Sequence, residues 1–286
     1  MRIRASLAAA TVSGVVALTA LAAPAAQATD VPAPFTSKVS PFTGNAPADD
    51  SQGDTQITKV TVNANSDVVA GVSKKSFNIY VTATDPSGIN TADAILWHGT
   101  SLSSTDPDVD GVIAADQAAT CDKWSATSAT CKITVTAEPG DSETASLYDS
   151  FLAGKWNVAV YAEGNDGDHV EKDVYKNSWV KRAASFSGFN AAPEPVTKGR
   201  AITVTGTLNR ASWTYLKYYG YGSQSVQLQF KKAGASTYST VKTVTSSSSG
   251  YLKTTVTASV DGTYRFHYAG NSTSSVADAY DYVDVR

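Results

Sequence analysis

After Asp54 the apolar positions recur at every second residue. Val60 and Val62 alternate with polar neighbours, as do Phe77, Ile79, Val81 and Ala83, and Asp85-Pro86-Ser87-Gly88 then breaks the run as a turn. Such alternation is the pattern of a strand with one face against a core, and the same reading predicts strands at 94–97, 112–121, 132–137, 156–162 and 174–181. Short strands separated by turn residues predict two antiparallel sheets packed face to face, immunoglobulin-like in outline. Residues 144–152 read as one or two helical turns in the crossing loop.

The pattern then repeats. Ile202, Val204 and Gly206 alternate, as do Val226, Leu228 and Phe230; Val241 and Val244, then residues 252–260, 263–268 and 280–285, complete a second set, with Asp261-Gly262 as a tight hairpin turn. The expected fold class is all-β, with two immunoglobulin-like antiparallel β-sandwich domains in tandem over residues 55–182 and 183–286. A short connection around Arg182 to Ser185 predicts limited flexing between them.

The first 54 residues lack this pattern. Arg2 and Arg4 precede an uncharged run from Leu7 to Ala23, and Ala26-Gln27-Ala28 offers small residues at a cleavage spacing, so residues 1–28 read as a signal peptide. The run is short and dominated by Ala, which disfavours a membrane anchor. Residues 29–54 are rich in Pro, Ala, Ser, Thr and Asp with few apolar anchors, and are expected to be disordered or loosely attached. A secreted, extracellular product with no membrane span is expected.

Charge separates the two domains. Residues 29–182 carry 11 Lys and Arg against 21 Asp and Glu, whereas residues 183–286 carry 10 against 5. The acidic first half would gain from cations that relieve its self-repulsion, and it makes nucleic acid an unsuitable partner. Cys121 and Cys131 are the only cysteines, and in an exported chain a lone close pair reads as one disulfide.

At the second domain a resemblance enters. Arg182-Ala183-Ala184, Pro193-Glu194-Pro195-Val196, Lys198-Gly199, Thr203-Val204-Thr205-Gly206, Leu228-Gln229-Phe230, Asp261-Gly262-Thr263-Tyr264-Arg265 and Asp281-Tyr282-Val283-Asp284-Val285 resemble a group of secreted bacterial proteins with two immunoglobulin-like domains. The group is functionally uncharacterised and often carries the automatic name "calcium-binding protein". The resemblance covers the last hundred or so residues well and the first domain loosely. It implies calcium as a cofactor and supplies no site residues.

Two acidic clusters are candidate cation sites. Asp106, Asp108 and Asp110 followed by Gly111 match the first half of a calcium loop, but Gln117 stands where the closing glutamate belongs and no helices flank it, so this is not an EF-hand. It reads either as a calcium loop of a β protein, completed by Asp141, Glu143 or Asp149, or as a solvated acidic turn. Immunoglobulin topology would place a second cluster at the opposite end, where Asp85 and Asp93 meet Glu163, Asn165, Asp166 and Asp168. Asp166 and Asp168 are its metal candidates, and a hairpin rich in turn-forming residues is the rival reading. Many flexible oxygen ligands suit calcium better than magnesium.

The other candidate surface is aromatic. Trp213, Tyr215, Tyr218, Tyr219 and Tyr221 either stack on a cell-wall glycan or anchor a secreted or surface protein, or else divide between the core and a sheet edge. Catalysis has no signature: there is no G-x-S-x-G elbow, no H-E-x-x-H, and His98, His169 and His267 have no zinc spacing. The leading expectation is a non-enzymatic secreted protein that binds calcium. The alternatives are an envelope or carbohydrate-binding adhesive module, and a hydrolase using clustered carboxylates.

Overall fold

The computed structural model describes residues 49–102, 108–140 and 144–286, all within one compact unit. The expected signal peptide, most of the segment expected to be disordered, and Asp106, Asp141 and Glu143 lie outside the described residues. Two antiparallel β-sandwiches follow one another along the chain.

In the first sandwich, one sheet has the order β2 (Gln56–Val62), β4 (Lys75–Thr84), β8 (Ser128–Ala137), β7 (Thr120–Ser125). The facing sheet runs β1 (Ser51–Gln52), β10 (His169–Arg182), β9 (Gly154–Gly164), β5 (Ile89–Ser101), β6 (Asp108–Ile113), and β3 (Val68–Ala70) lies parallel to the end of β10. Alternation on β4 turns Phe77, Ile79, Val81 and Ala83 inward, opposite Val135, Ile133, Cys131 and Ala129 of β8. Across the core stand Ala94 and Leu96 of β5 and Trp156, Val158 and Val160 of β9. Each large apolar side chain buried here stabilises the fold by about 1.5–3 kcal/mol. The outer face of β5 is covered as well, for Ile95 and Trp97 form a separate cluster with Val112 and Ala159. That explains the unbroken apolar run at residues 94–97.

The structure departs from the expected strands in three places. The strand anticipated over 112–121 is two strands in different sheets: β6 ends at Ile113, Asp116 N donates to Thr134 O, and the chain has changed sheets before β7 begins. Alternation survives such a crossing, so sequence periodicity does not reveal it. The helical turns anticipated over 144–152 reduce to a single 3-10 turn, Ser150–Leu152, capped by Asp149 Oδ1 accepting from Phe151 N at 2.9 Å. Residues 49–54, anticipated as disordered, are tied down, since Ser51 and Gln52 pair with Val170 and His169. Cys121 and Cys131 face each other across β7 and β8 in a disulfide.

The second sandwich packs a sheet of β11 (Ala184–Ala192), β12 (Ala201–Ser212), β13 (Lys217–Gly220) and β16 (Tyr251–Thr257) on one ordered β15 (Ser239–Thr245), β14 (Ser225–Lys232), β17 (Gly262–Tyr268), β18 (Ala277–Val283). Ile202, Val204, Leu208, Leu228, Leu252 and Phe266 fill its core. Among the described residues no helix is long and apolar enough to cross a membrane.

Candidate metal centre

Three segments meet where β2 begins. Asp54 and Thr55 lead into β2, residues 85–88 turn from β4 into β5, and residues 165–168 turn from β9 into β10. Asp85 organises the first turn: its Oδ1 accepts from Ser87 N at 2.7 Å and Ser87 Oγ at 2.5 Å, and Gly88 N donates to Asp85 O at 2.9 Å. This is the local backbone bonding that makes aspartate a turn former. The second turn docks on the first through Asn165 N to Gly88 O at 2.9 Å and Asn165 Nδ2 to Ser87 O at 2.7 Å. Asp54 N then donates to Asp168 Oδ2 at 3.1 Å, and Thr55 Oγ1 lies 2.5 Å from Asp85 Oδ2 and 3.0 Å from Asp168 O.

The result is a group of carboxylates. Asp54, Asp85 and Asp168 each present an oxygen, and these oxygens all lie within 4.8 Å of one another. Calcium sits about 2.3–2.6 Å from each ligand, so two of its ligands are at most about 5 Å apart and the trio satisfies that limit as it stands. Two glycines permit the approach. A Cβ on Gly53, whose φ is 79°, would fall 1.7 Å from Asp168 Oδ2, and one on Gly164 would fall 2.5 Å from Asp85 Cγ.

Asp85 and Asp54 are shifted in opposite directions. Burial pushes Asp85 up, but the hydrogen bonds from the Ser87 and Thr55 side chains and the Ser87 backbone prevail and hold it below the usual carboxylate value. Asp54 is raised, first by desolvation among its neighbours and then by the negative charges of Asp85, Asp168 and Asp166. A cation at the trio would reverse that repulsion.

Of the sequence candidates, Asp168 is in the trio and Asp166 stands beside it, its Oδ1 accepting from Asp168 N at 3.2 Å. Asp85 joins them, whereas Asp93 lies along β5 opposite Tyr161, and Glu163 turns to Asn90 Nδ2 and Tyr161 OH at 2.8 and 2.7 Å. Asp54 escaped the sequence reading because it ends the segment expected to be disordered. The one available signal was its position directly before a strand that must start near two acidic turns.

The other acidic cluster takes a different form. Asp108 and Asp110 lie on strand β6 and not in a turning loop, and Gly111 faces Trp156, whose ring a Cβ there would meet at 3.2 Å. Asp110 Oδ2 pairs with His98 Nδ1 at 3.0 Å, and Asp108 accepts from Thr100 Oγ1. Asp149 is engaged by Phe151 N and by Thr214 Oγ1. Among the described residues, Asp54, Asp85 and Asp168 form the one group of three such ligands.

The aromatic stretch divides. Trp213 is fully buried in the core cluster of the first sandwich and is thereby removed from any ligand-facing role. Tyr221 is half-buried beneath Arg210, whose guanidinium carbon is 3.9 Å from its ring centre. Tyr215, Tyr218 and Tyr219 are 68%, 42% and 50% exposed, so only these three remain as a surface.

Residues 61–162 match the model of a family of unknown function, DUF5707. No curated protein is significantly similar. Solved structures that align include a chimeric titin Z1Z2 tandem, at 12% identity over 81% of this chain and 99% of that one with a TM-score of 0.28. The fibronectin(III)-like modules of CbhA from Clostridium thermocellum align at 17% identity over 79% and 93%, with a TM-score of 0.28. The D0-D1 domain of intimin aligns at 13% identity over 78% and 97%, with a TM-score of 0.24. Similarities of this size carry no argument about function, which rests on the residues themselves.

Proposed function

We propose that this is a secreted, non-enzymatic β-sandwich protein whose first sandwich binds calcium at Asp54, Asp85 and Asp168. The observation that carries this reading is the approach of three carboxylate oxygens, from three separate segments, to within 4.8 Å of one another. The cation acts as a staple. It joins the residues before β2 to the β4–β5 and β9–β10 turns, and waters and neighbouring oxygens complete the six to eight ligands that calcium takes. Secretion rests on the signal-peptide pattern of residues 1–28.

Thermal unfolding of the mature chain in chelator, calcium and magnesium tests this. A site of about 0.1 mM affinity adds about 1.4 kcal/mol at 1 mM calcium by mass action, which raises the midpoint by about 3–6 °C for a chain of this size. Equal midpoints in calcium and chelator would remove the proposal.

A second reading is favoured by the exposure of Tyr215, Tyr218 and Tyr219, of which Tyr215 and Tyr219 meet edge to face at 6.1 Å. In it the second sandwich adheres to a cell-wall glycan or a surface protein. Retention on insoluble polysaccharide that persists in Tyr215→Ala/Tyr219→Ala would exclude this surface.

A further inference from the structure

At the far end of β2 from the carboxylates, the chain makes an uncommon turn. Asn63, Ala64 and Asn65 have φ values of 44°, 53° and 61°, three successive non-glycine residues in the left-handed region. Asparagine tolerates this conformation, but alanine has no side-chain hydrogen bond to offset its cost. The turn is held by Asn63 Nδ2 donating to Ser66 O at 3.3 Å and Asp67 O at 2.8 Å, and by Ser66 N donating to Asn63 O at 3.0 Å. Strain maintained in this way is a feature of functional positions.

The turn contributes Asn65, Ser66 and Asp67 to the lining of a cavity of about 120 Å³, to which Lys176, Asn177, Ser178 and Trp179 of β10 also contribute. Trp179 is 39% exposed. Its surroundings are fixed, because Lys181 Nζ lies 5.7 Å from its ring centre and 2.7 Å from Asp67 Oδ2. Asn177 is oriented by donating from Nδ2 to Asn157 Oδ1 at 2.8 Å.

We infer that this cavity binds one pyranose ring of a saccharide. A sugar presents an apolar C–H face, which an exposed indole accommodates, and adjacent hydroxyls that need donors and acceptors together. Carboxamides supply both, and Asn65 and Asn177 line the cavity together with Ser66, Asp67 and Lys176. A lipid chain would need apolar walls that these residues deny. The strained turn holds Asn65, Ser66 and Asp67 in the cavity lining before any ligand arrives, so little ordering is lost on binding.

The test is a titration of the full chain, in chelator, with glucose, N-acetylglucosamine and glucuronic acid, followed by tryptophan emission and by the indole N–H resonances. Of the five tryptophans, Trp97, Trp156 and Trp213 are buried, while Trp124 and Trp179 are exposed. At least one sugar is expected to give a saturable shift of the Trp179 resonance. Trp179→Ala abolishes binding, whereas Trp124→Ala retains it. Asn65→Gly removes one carboxamide and relaxes the turn, so it weakens binding about tenfold while the melting midpoint is unchanged or raised. Three results overturn the inference: no shift with any of the sugars, binding undiminished in Trp179→Ala, or binding undiminished in Asn65→Gly. The chelator separates the outcome from that of the calcium site.

Discussion

Trp213 belongs to the second sandwich by sequence, yet its indole N–H donates to the carbonyl of Ala70 in the first, at 3.1 Å. Its backbone N–H reaches Ser150 Oγ at 3.1 Å, and the ring is fully buried in the first core. Around it, Ala183 N donates to Ala70 O and Ala211 N to Ala183 O, both at 2.9 Å, and Arg182 Nε donates to Ala211 O at 2.5 Å. Burial, and then the neighbouring Arg210, bring the Arg182 guanidinium down to about 10. The second sandwich thus supplies a plug for the end of the first.

Removing that plug is expected to damage the sandwich that does not contain it. Truncating a buried tryptophan costs about 3–5 kcal/mol. In Trp213→Ala the loss falls on the first sandwich, so calorimetry should show its transition separating below that of the second, while Trp213→Phe keeps most of the packing. A variant that loses stability only in the second sandwich would contradict the assignment of Trp213 to the first core.

Calcium binding should depend on pH earlier than ordinary carboxylates would dictate. Asp54 is raised by desolvation and by Asp85, Asp168 and Asp166, so it takes up a proton while Asp85, held below the usual carboxylate value, remains ionised. Protons then compete with calcium as pH falls toward that raised value, and the calcium-dependent rise in midpoint shrinks in the same window. Asp168→Asn removes one ligand charge and should abolish the rise at every pH. Asp54→Asn lowers the affinity but leaves what remains less sensitive to pH.

Glu171 gives a dependence of the opposite kind. It is 8% exposed on β10, and its pKa is raised to about 7, first by burial and then by Asp173 and Asp50, with His169 opposing. Because the folded value lies above the unfolded one, the folded state holds the extra proton. Stability is therefore greatest below the unfolded value and falls as pH rises through about 7. Asp173, also raised by burial and by Asp49, acts in the same direction. Glu171→Gln should flatten this slope, so that the variant melts above the parent at pH about 8 and close to it at pH about 5.

How much of this was legible in sequence depends on distance along the chain. Phe77, Ile79, Val81 and Ala83 announced β4 because burial on one face of a strand writes a period of two. The change of sheets between Ile113 and Thr120 left no mark, since alternation is the same whichever sheet a strand joins. Asp85 and Asp168 were legible as turn residues, and immunoglobulin topology was enough to bring their loops together. Asp54 was not legible, because its partner Asp168 is 114 residues away and its own surroundings are polar. Trp213 stayed open between core and surface for a related reason: nothing local distinguishes an aromatic that serves a surface from one that serves a neighbouring core.

Gly53 offers the sharpest test of the carboxylate geometry. Its φ of 79° is left-handed, and a Cβ there would lie 1.7 Å from Asp168 Oδ2 and 1.8 Å from its Cγ. Gly53→Ala therefore strains the backbone and displaces a ligand at once. The strain is expected to lower stability by about 1–3 kcal/mol in chelator. Displacement of Asp168 adds the loss of the calcium response, so the gap between variant and parent should widen when calcium is present. The two contributions separate in Asp168→Ala/Gly53→Ala, where the clash is gone and only the backbone cost remains. If Gly53→Ala alone keeps the full calcium-dependent rise in midpoint, the cation does not use Asp168, and the trio is a hydrogen-bonded turn cluster.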